Sequence, residues 1–189
     1  FSADGSFPVG GGVRVLCILN NVDPWLATLF GMFAGACAGI ITASLHIGFK
    51  IEKLLASILM MIALYSINLR IMGKPNVSLL GDPTVYDSIQ ANDDLQLAIV
   101  RLLIAVFVVI IAKLLFDLFF ATQTGLAVRA TGTNPRMAKA QGIAINKMTL
   151  LGMAISNGLI ALAGALYVQS NGGFDISIGV GTIVIGLAA

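Results

Sequence analysis

Three long stretches of this chain carry no charge, and they limit its fold more than any other feature. They cover residues 25–45, 54–69 and 148–174. Each is close to or longer than the roughly 17–25 apolar residues that a bilayer-spanning helix needs. Because 58% of all residues are hydrophobic and only 11% are charged, a soluble domain of this size lacks the polar groups to cover its surface. The sequence therefore predicts a membrane protein.

The composition also excludes several other classes of protein. A formal net charge of +2 argues against a nucleic-acid-binding surface, and the high apolar content argues against intrinsic disorder. Cys17 and Cys37 lie in apolar stretches, which favours buried small side chains over a disulfide or metal ligands. The first residues lack the basic region and apolar core of a signal peptide. We expect the chain to be an interior part of a longer membrane protein.

We predict an all-α fold, a polytopic transmembrane helical bundle that forms a single domain over residues 1–189. Its first segment is short and glycine-rich and contains Arg14, so it is either half of a broken helix or a helix deep inside the bundle. Asp23 and Pro24 mark the start of the second segment as cap and first helical residue. The predicted segments are 7–19, 24–46, 52–72, 95–122 and 148–169, and a sixth begins near Ile176.

The charged loops predict the orientation of the segments. Residues 123–147 contain four Lys or Arg residues and no acid, and cytoplasmic loops collect such positive charge. Alternation then places residues 73–94, with four Asp residues and a single Lys, on the extracytoplasmic side. The turn at residues 46–53 falls inside.

Small residues indicate how the helices pack. Gly31, Gly35 and Gly39 recur every four residues and therefore share one helical face, where a neighbouring backbone can approach closely. We interpret this face as a tight helix contact. The alternative is a sliding surface between two moving helices.

The segment 123–147 contains a short helix of its own. Asn134 followed by Pro135 is typical of a helix start, and Gly142 of a helix end. The intervening residues make about two turns, roughly 10 Å in length. A connection this long, basic and structured, with an apolar Met137, predicts a docking surface for a cytoplasmic partner. The alternative is a basic helix resting on anionic lipid head groups.

No sequence motif indicates catalysis. The chain lacks a phosphate-binding glycine loop, a metal-ligand cluster and a nucleophile paired with a base. We therefore predict a protein that is not an enzyme and needs no metal or cofactor, with any ATP hydrolysis on a separate subunit.

Polar residues within the apolar segments are candidates for a translocation path. Asp4 with Ser6, and Asp175 with Ser177, each precede a glycine-rich run, which suggests two related halves with broken helices near the bilayer centre. The alternative is that both pairs are ordinary helix caps. The full set of path candidates is Asp4, Ser6, Tyr65, Asn68, Ser156, Asn157, Asp175 and Ser177.

The basic segment also resembles a known family. Arg129, Ala130, Gly132 and Asn134, followed by Ala138, Gly142 and Ile143, are similar to the R-A-x-G-x-N-(x)n-A-x-x-x-G-I loop of permease subunits in bacterial ABC importers of the branched-chain amino acid and ribose type. The resemblance covers essentially the whole chain. Residues 66–76 resemble the branch that imports tryptophan and related amino acids.

The resemblance implies a coupling helix that fits a groove on an ATPase. The residues that would contact the ATPase are Arg129, Thr131, Asn134, Pro135, Met137, Ala138, Gln141 and Gly142. It further implies a permease of the bacterial plasma (inner) membrane that works with a cytoplasmic ATP-binding-cassette ATPase, an extracytoplasmic substrate-binding protein and a second permease copy in a homodimer. The cargo would be a small solute, an amino acid or a related compound. Further helices would precede Phe1 and follow Ala189.

Two other functions remain open on the sequence. An ion-coupled secondary transporter would use Asp4, Asp117 or Asp175 to carry a proton or sodium ion. A membrane scaffold would use the basic segment only to recruit a partner.

Overall fold

A computed structural model describes residues 3–19, 22–78, 94–181 and Ala188. Its described part is built almost wholly of α-helices, and the all-α prediction is confirmed. Two three-residue strands and a short 3₁₀ turn complete it. The elements in chain order are α1 (Ala3–Leu19), α2 (Pro24–Phe49), α3 (Lys53–Met72), β1 (Asn76–Ser78), α4 (Asp94–Ala121), α5 (Gln123–Thr133), α6 (Pro135–Ala140), α7 (Ile145–Asn171), β2 (Gly173–Asp175) and the 3₁₀ turn Ile176–Gly179.

Four of the described helices, α2, α3, α4 and α7, are long and apolar enough to cross a membrane. Their bounds lie within about three residues of the predicted segments. The acidic residues Asp82, Asp87 and Asp93 of the predicted outer loop lie outside the described residues, as does most of the predicted sixth segment after the 3₁₀ turn. Cys37 is exposed on α2, so the prediction that it is buried was wrong.

The first predicted segment is a continuous helix and not half of a broken one. α1 begins at Ala3, four residues earlier than predicted, and includes Pro8 in its interior. Most of its residues are buried, and Ser6, Arg14 and Val15 are completely so. The alternative of a helix deep inside the bundle is therefore the one that the structure supports.

The described residues form two compact units. The first lies within Phe1–Ser88 and Met153–Ala189, and the second within Ile89–Gly152. Thus α1, α2, α3, both strands and most of α7 belong to the first unit. The second unit contains α4, α5, α6 and the first turns of α7.

Glycines allow α1, α2 and α7 to pack backbone against backbone in the first unit. A Cβ atom on Gly31 would stand 2.7 Å from the carbonyl oxygen of Gly10. One on Gly35 would overlap the side chain of Ala161, and one on Gly39 the carbonyl oxygen of Met153. The predicted glycine face of α2 thus lies directly against α1 and α7.

The same contacts fix the direction of the helices. Gly31, Gly35 and Gly39 meet successively earlier residues of α7, from Ala165 back to Met153, so α2 and α7 are antiparallel. The contacts of α1 with α7 advance in the same direction along both helices, from Ser6 beside Asn157 to Gly11 beside Val168. Helices α1 and α7 are therefore parallel.

In residues 173–181, which follow α7, the chain turns back along α1 as a short strand and a 3₁₀ turn. Residue Phe174 of β2 packs on Gly11 and Gly12, whereas Gly179 packs on Asp4 and Pro8. The segment 173–181, called here the returning segment, therefore runs antiparallel to α1 past about eight of its residues, roughly 12 Å. Non-helical backbone at membrane depth is tolerated only where protein or a water-filled cavity surrounds it.

In the second unit, α5 folds back tightly on the end of α4. Thr122 caps α5 by accepting a hydrogen bond from the backbone N–H of Gly125 at 3.2 Å. A Cβ atom on Gly125 would overlap the carbonyl oxygen of Phe119, so this turn requires glycine. The sequence predicts only one short helix in residues 123–147, whereas the structure has two, α5 and α6.

Substituting Gly35 tests the backbone packing of the first unit. We expect Gly35→Ala to lower the free energy of unfolding by about 1–3 kcal/mol, because the added methyl group overpacks the contact with Ala161. Gly48→Ala is the matched control, since it lies on the same helix with open space around it. The control should be neutral or slightly stabilising. Thermal unfolding of the full-length chain in detergent measures both, and equal midpoints would contradict the packing.

Candidate functional site

One asparagine separates the two helices of the basic segment. The backbone N–H of Asn134 donates to the carbonyl oxygen of Ala130 and so closes α5. Its side-chain oxygen accepts from the N–H of Met137 at 3.2 Å and caps α6. Pro135 occupies the first helical position, where its missing N–H costs nothing. The predicted start of this helix is therefore confirmed.

The end of α6 is equally well defined. Gly142 has a φ of +79°, its N–H donates to the carbonyl oxygen of Lys139, and the N–H of Ile143 donates to that of Ala138, both at 3.0 Å. This pair of bonds is the Schellman motif, which requires a left-handed residue at the position of Gly142. The predicted stop is confirmed, and α6 is fixed at both ends.

The candidate coupling residues divide by exposure. Ala138 and Thr131 are buried, at 2% and 7% exposure, so neither side chain is open to a docking protein. Met137 is 60% exposed, an unusual position for a large apolar side chain on a polar segment. The other exposed candidates are Arg129, Asn134, Pro135, Gln141 and Gly142.

The surface around Met137 is positively charged. Arg129, Arg136, Lys139 and Lys147 are all exposed, and residues 123–147 include no Asp or Glu. The helix α6 therefore presents the apolar side chain of Met137 among positively charged groups. Such a surface favours an acidic partner with an apolar pocket.

Two path candidates bind each other inside the first unit. The hydroxyl of Ser6 on α1 donates to Oδ1 of Asn157 on α7 at 2.9 Å, and both residues are fully buried. Nδ2 of Asn157 donates to the carbonyl oxygen of Met153. In this conformation the pair joins two helices.

The two predicted Asp–Ser pairs occupy different surroundings. The hydroxyl of Ser177 donates to Oδ1 of Asp175 at 2.6 Å and its backbone N–H donates at 2.8 Å. Asp175 thereby caps the 3₁₀ turn. The carboxylate of Asp4 instead accepts from the N–H of Gly181 at 3.4 Å, at the end of the returning segment.

The remaining path candidates lie on α3 and α7. Tyr65 is 44% exposed and faces away from the unit, whereas Asn68, three residues later, is only 2% exposed. Ser156 is half-buried beside Asn157. The structure thus brings Ser6 and Asn157 together and leaves Tyr65 apart from them.

Sequence reasoning missed the returning segment and its central side chain. Phe174 is completely buried against Val15 and Val168, yet it lies between the predicted fifth segment, 148–169, and the sixth, which begins near Ile176. The signal was the Gly172-Gly173 pair before it, a combination that marks turns. Among the described residues, no group of His, Cys, Asp or Glu is placed to hold a metal ion.

Comparison with known proteins gives one family. The family described as branched-chain amino acid transport system / permease component matches residues 1–189. A tyrosine transport system permease protein of Clostridioides difficile is 42% identical over 188 residues, which is 100% of this chain and 61% of that protein. No solved structure matches the chain.

Two further relatives extend this picture. An uncharacterized protein of Rickettsia prowazekii is 34% identical over 100% of this chain and 64% of its own length. A probable branched-chain amino acid transport permease protein of Methanocaldococcus jannaschii is 30% identical over 87% of this chain and 55% of its length. The chain thus spans about three fifths of the length of the curated relatives it matches.

A double-mutant cycle on Ser6 and Asn157 tests their buried bond. We expect Ser6→Ala and Asn157→Ala each to destabilise the full-length chain and together to show a coupling energy of about 0.5–1.5 kcal/mol, the usual range between membrane helices. Ser170→Ala on α7 is the control, because its hydroxyl bonds only within its own helix. Strictly additive effects would contradict the interhelical bond.

Proposed function

This chain belongs to the family of branched-chain amino acid transport system permease components, and we propose that it forms the translocation path of an ATP-driven importer. It is an all-α, multi-pass protein of the bacterial inner membrane. The cargo we propose is an amino acid. Support comes from the printed function of two relatives, tyrosine transport and branched-chain amino acid transport.

The observation that carries the proposal is the helix α6, capped at both ends and exposed. A helix of six residues has too few internal hydrogen bonds to be stable alone. Here Asn134 fixes one end and Gly142 the other, while buried Ala138 anchors the middle. Together these residues hold Met137 at the surface, as expected for a helix that docks into another protein.

We propose that α6 is a coupling helix that docks on a cytoplasmic ATP-binding-cassette ATPase. The set of contact residues proposed from the sequence is retained, with Thr131 and Ala138 acting as internal supports and the exposed members as contacts. Residues 141–144 join α6 directly to α7. A displacement of α6 by a closing ATPase is therefore transmitted to the start of α7, since the connection is too short to absorb it.

The remaining partners follow from the same proposal. A second copy of the permease would complete the path, and an extracytoplasmic binding protein would deliver the cargo on the side of the membrane that the sequence predicts for residues 73–94. Asp4, Asp175 and the other polar residues of the first unit would line or support the path. The exposed apolar surface of α4 suits contact with lipid or with further helices.

An ion-coupled transporter is the second candidate. It requires a carboxylate that alternately binds and releases a cation. Asp175 accepts a hydrogen bond from the hydroxyl of Ser177, and Asp4 accepts one from the N–H of Gly181. Both carboxylates therefore have structural roles. The capped surface helix has no role in ion coupling, and we therefore favour the ATPase-driven importer.

Adding a charge to α6 tests the coupling helix. We expect Met137→Glu to lower both ATPase co-purification and ATP-dependent uptake of labelled L-tyrosine by roughly tenfold or more, because a carboxylate would be buried in the apolar pocket of the partner. The matched control is Gln123→Glu, which adds the same charge to an exposed position at the start of α5. The assay uses the full-length chain reconstituted with the ATPase and binding protein.

Two results would contradict the proposal. Uptake that persists without any ATPase and follows an imposed ion gradient would favour the secondary transporter. Partner binding without uptake of any amino acid by the wild-type complex would favour the scaffold.

A further inference from the structure

The side chain of Phe174 fills the space where three elements of the first unit end. Its ring contacts Val15 of α1 and Val168 of α7, with Met72 of α3 and Val77 of β1 packed around the cluster. Gly11 and Gly12 make room for it, because a Cβ atom on Gly11 would lie 3.1 Å from two atoms of the ring. By the orientation that the loops predict, this is the extracytoplasmic end of the unit.

A buried amide and this ring both lie against Gly12 of α1. The position that a Cβ atom would take on Gly12 is 3.2 Å from Oδ1 of Asn68 and 3.6 Å from Cζ of Phe174. Asn68 is 2% exposed, and within the described ranges its Nδ2 group has no hydrogen-bond partner. A buried donor left without a partner costs about 1–3 kcal/mol. A ligand that accepts a hydrogen bond from Nδ2 of Asn68 would remove this cost.

The element that carries Phe174 is joined to the long helices by residues that permit movement. β2 pairs with β1 through Asn76↔Asp175, Val77↔Phe174 and Ser78↔Gly173. Gly73 precedes this pair with φ +66° and Gly172 with φ +63°. A tilt of the strand pair as one body would therefore be absorbed at these two glycines, and the mutual hydrogen bonds of the strands would stay intact.

We propose that Phe174 is a gate residue and that Asn68 behind it is a contact for the cargo, a specificity-determining residue. When the strand pair tilts, the ring leaves the glycine surface of α1 and Nδ2 of Asn68 becomes accessible. It then donates a hydrogen bond to the carboxylate, the acceptor that every amino acid carries. This inference rests on the proposed function and adds to it the point of first contact.

The first experiment measures access to position 68 in the full-length complex. Asn68→Cys is made in a Cys17→Ala, Cys37→Ala background and treated with an anionic, membrane-impermeant thiosulfonate. We expect slow labelling with Phe174 in place and labelling faster by roughly tenfold or more with Phe174→Ala or the milder Phe174→Leu, since burial is what protects the thiol. L-tyrosine delivered by the binding protein should slow the reaction.

The control cysteine in this experiment is Ser57→Cys. Ser57 is also buried on α3 but lies eleven residues before Asn68, away from the ring. Its labelling should not respond to Phe174 substitutions. If both cysteines respond alike, the substitutions have loosened the whole unit and the gate is refuted.

The second experiment measures the contribution of the amide itself. Asn68→Asp keeps the shape but replaces the donor with a negative charge, so we expect uptake of L-tyrosine to fall by about tenfold or more through repulsion of the carboxylate. Asn171→Asp, the same change at an exposed position, should leave uptake unchanged. Basal ATPase activity and complex yield are measured for both variants, and both quantities should be normal for Asn171→Asp.

The outcomes separate this inference from the proposed function. Absence of ATP-dependent uptake by the wild-type complex would remove the function before any variant is tested. Normal uptake by Asn68→Asp in an active complex would overturn only the cargo contact. A loss of uptake that merely parallels a loss of complex yield would show a structural role for Asn68 and would overturn it as well.

Discussion

The close approach of α1 to α2 and α7 is the contact on which the first unit depends. In lipid, helices gain little from hydrophobic burial against each other, and their association rests on van der Waals packing and interhelical hydrogen bonds. The glycines of α2 and Gly10 of α1 bring the backbones into contact, and the Ser6–Asn157 bond lies at the same interface. Because α1 is only about 25 Å long and largely enclosed, it can carry Arg14 fully buried without exposing a charge to lipid.

Enclosing α1 also explains the returning segment. Its backbone is not helical, so it needs protein around it at membrane depth, and α1 supplies that surface. Gly11 and Gly12 accommodate Phe174, and Pro8 supports Gly179. One helix therefore serves as the packing core for α2, α3 and α7 and as the support for the element that we propose to be mobile.

The long helices and the short capped helix could be predicted from the sequence because each depends on a local signal. Apolar runs define the spans, Asn134-Pro135 starts α6, and Gly142 ends it. The strand pair and the returning segment could not be predicted in this way, since they depend on contacts between residues about a hundred positions apart. The helix α5 was not predicted for a different reason. Its N-cap, Thr122, is a local signal, but it was not recognised as a helix start. Only the structure shows that Asn68 is buried and Tyr65 exposed. The sequence alone does not show which face of α3 is buried.

Site-directed photo-crosslinking tests whether α6 docks on an ATPase. A photoreactive residue in place of Met137 is compared with one in place of Leu126, which is also exposed but lies outside α6. In membranes that contain the full-length complex, we expect a specific adduct between position 137 and the ATP-binding subunit, both with and without nucleotide. Adducts from position 137 with lipid alone, or equal ATPase adducts from both positions, would contradict the docking of α6.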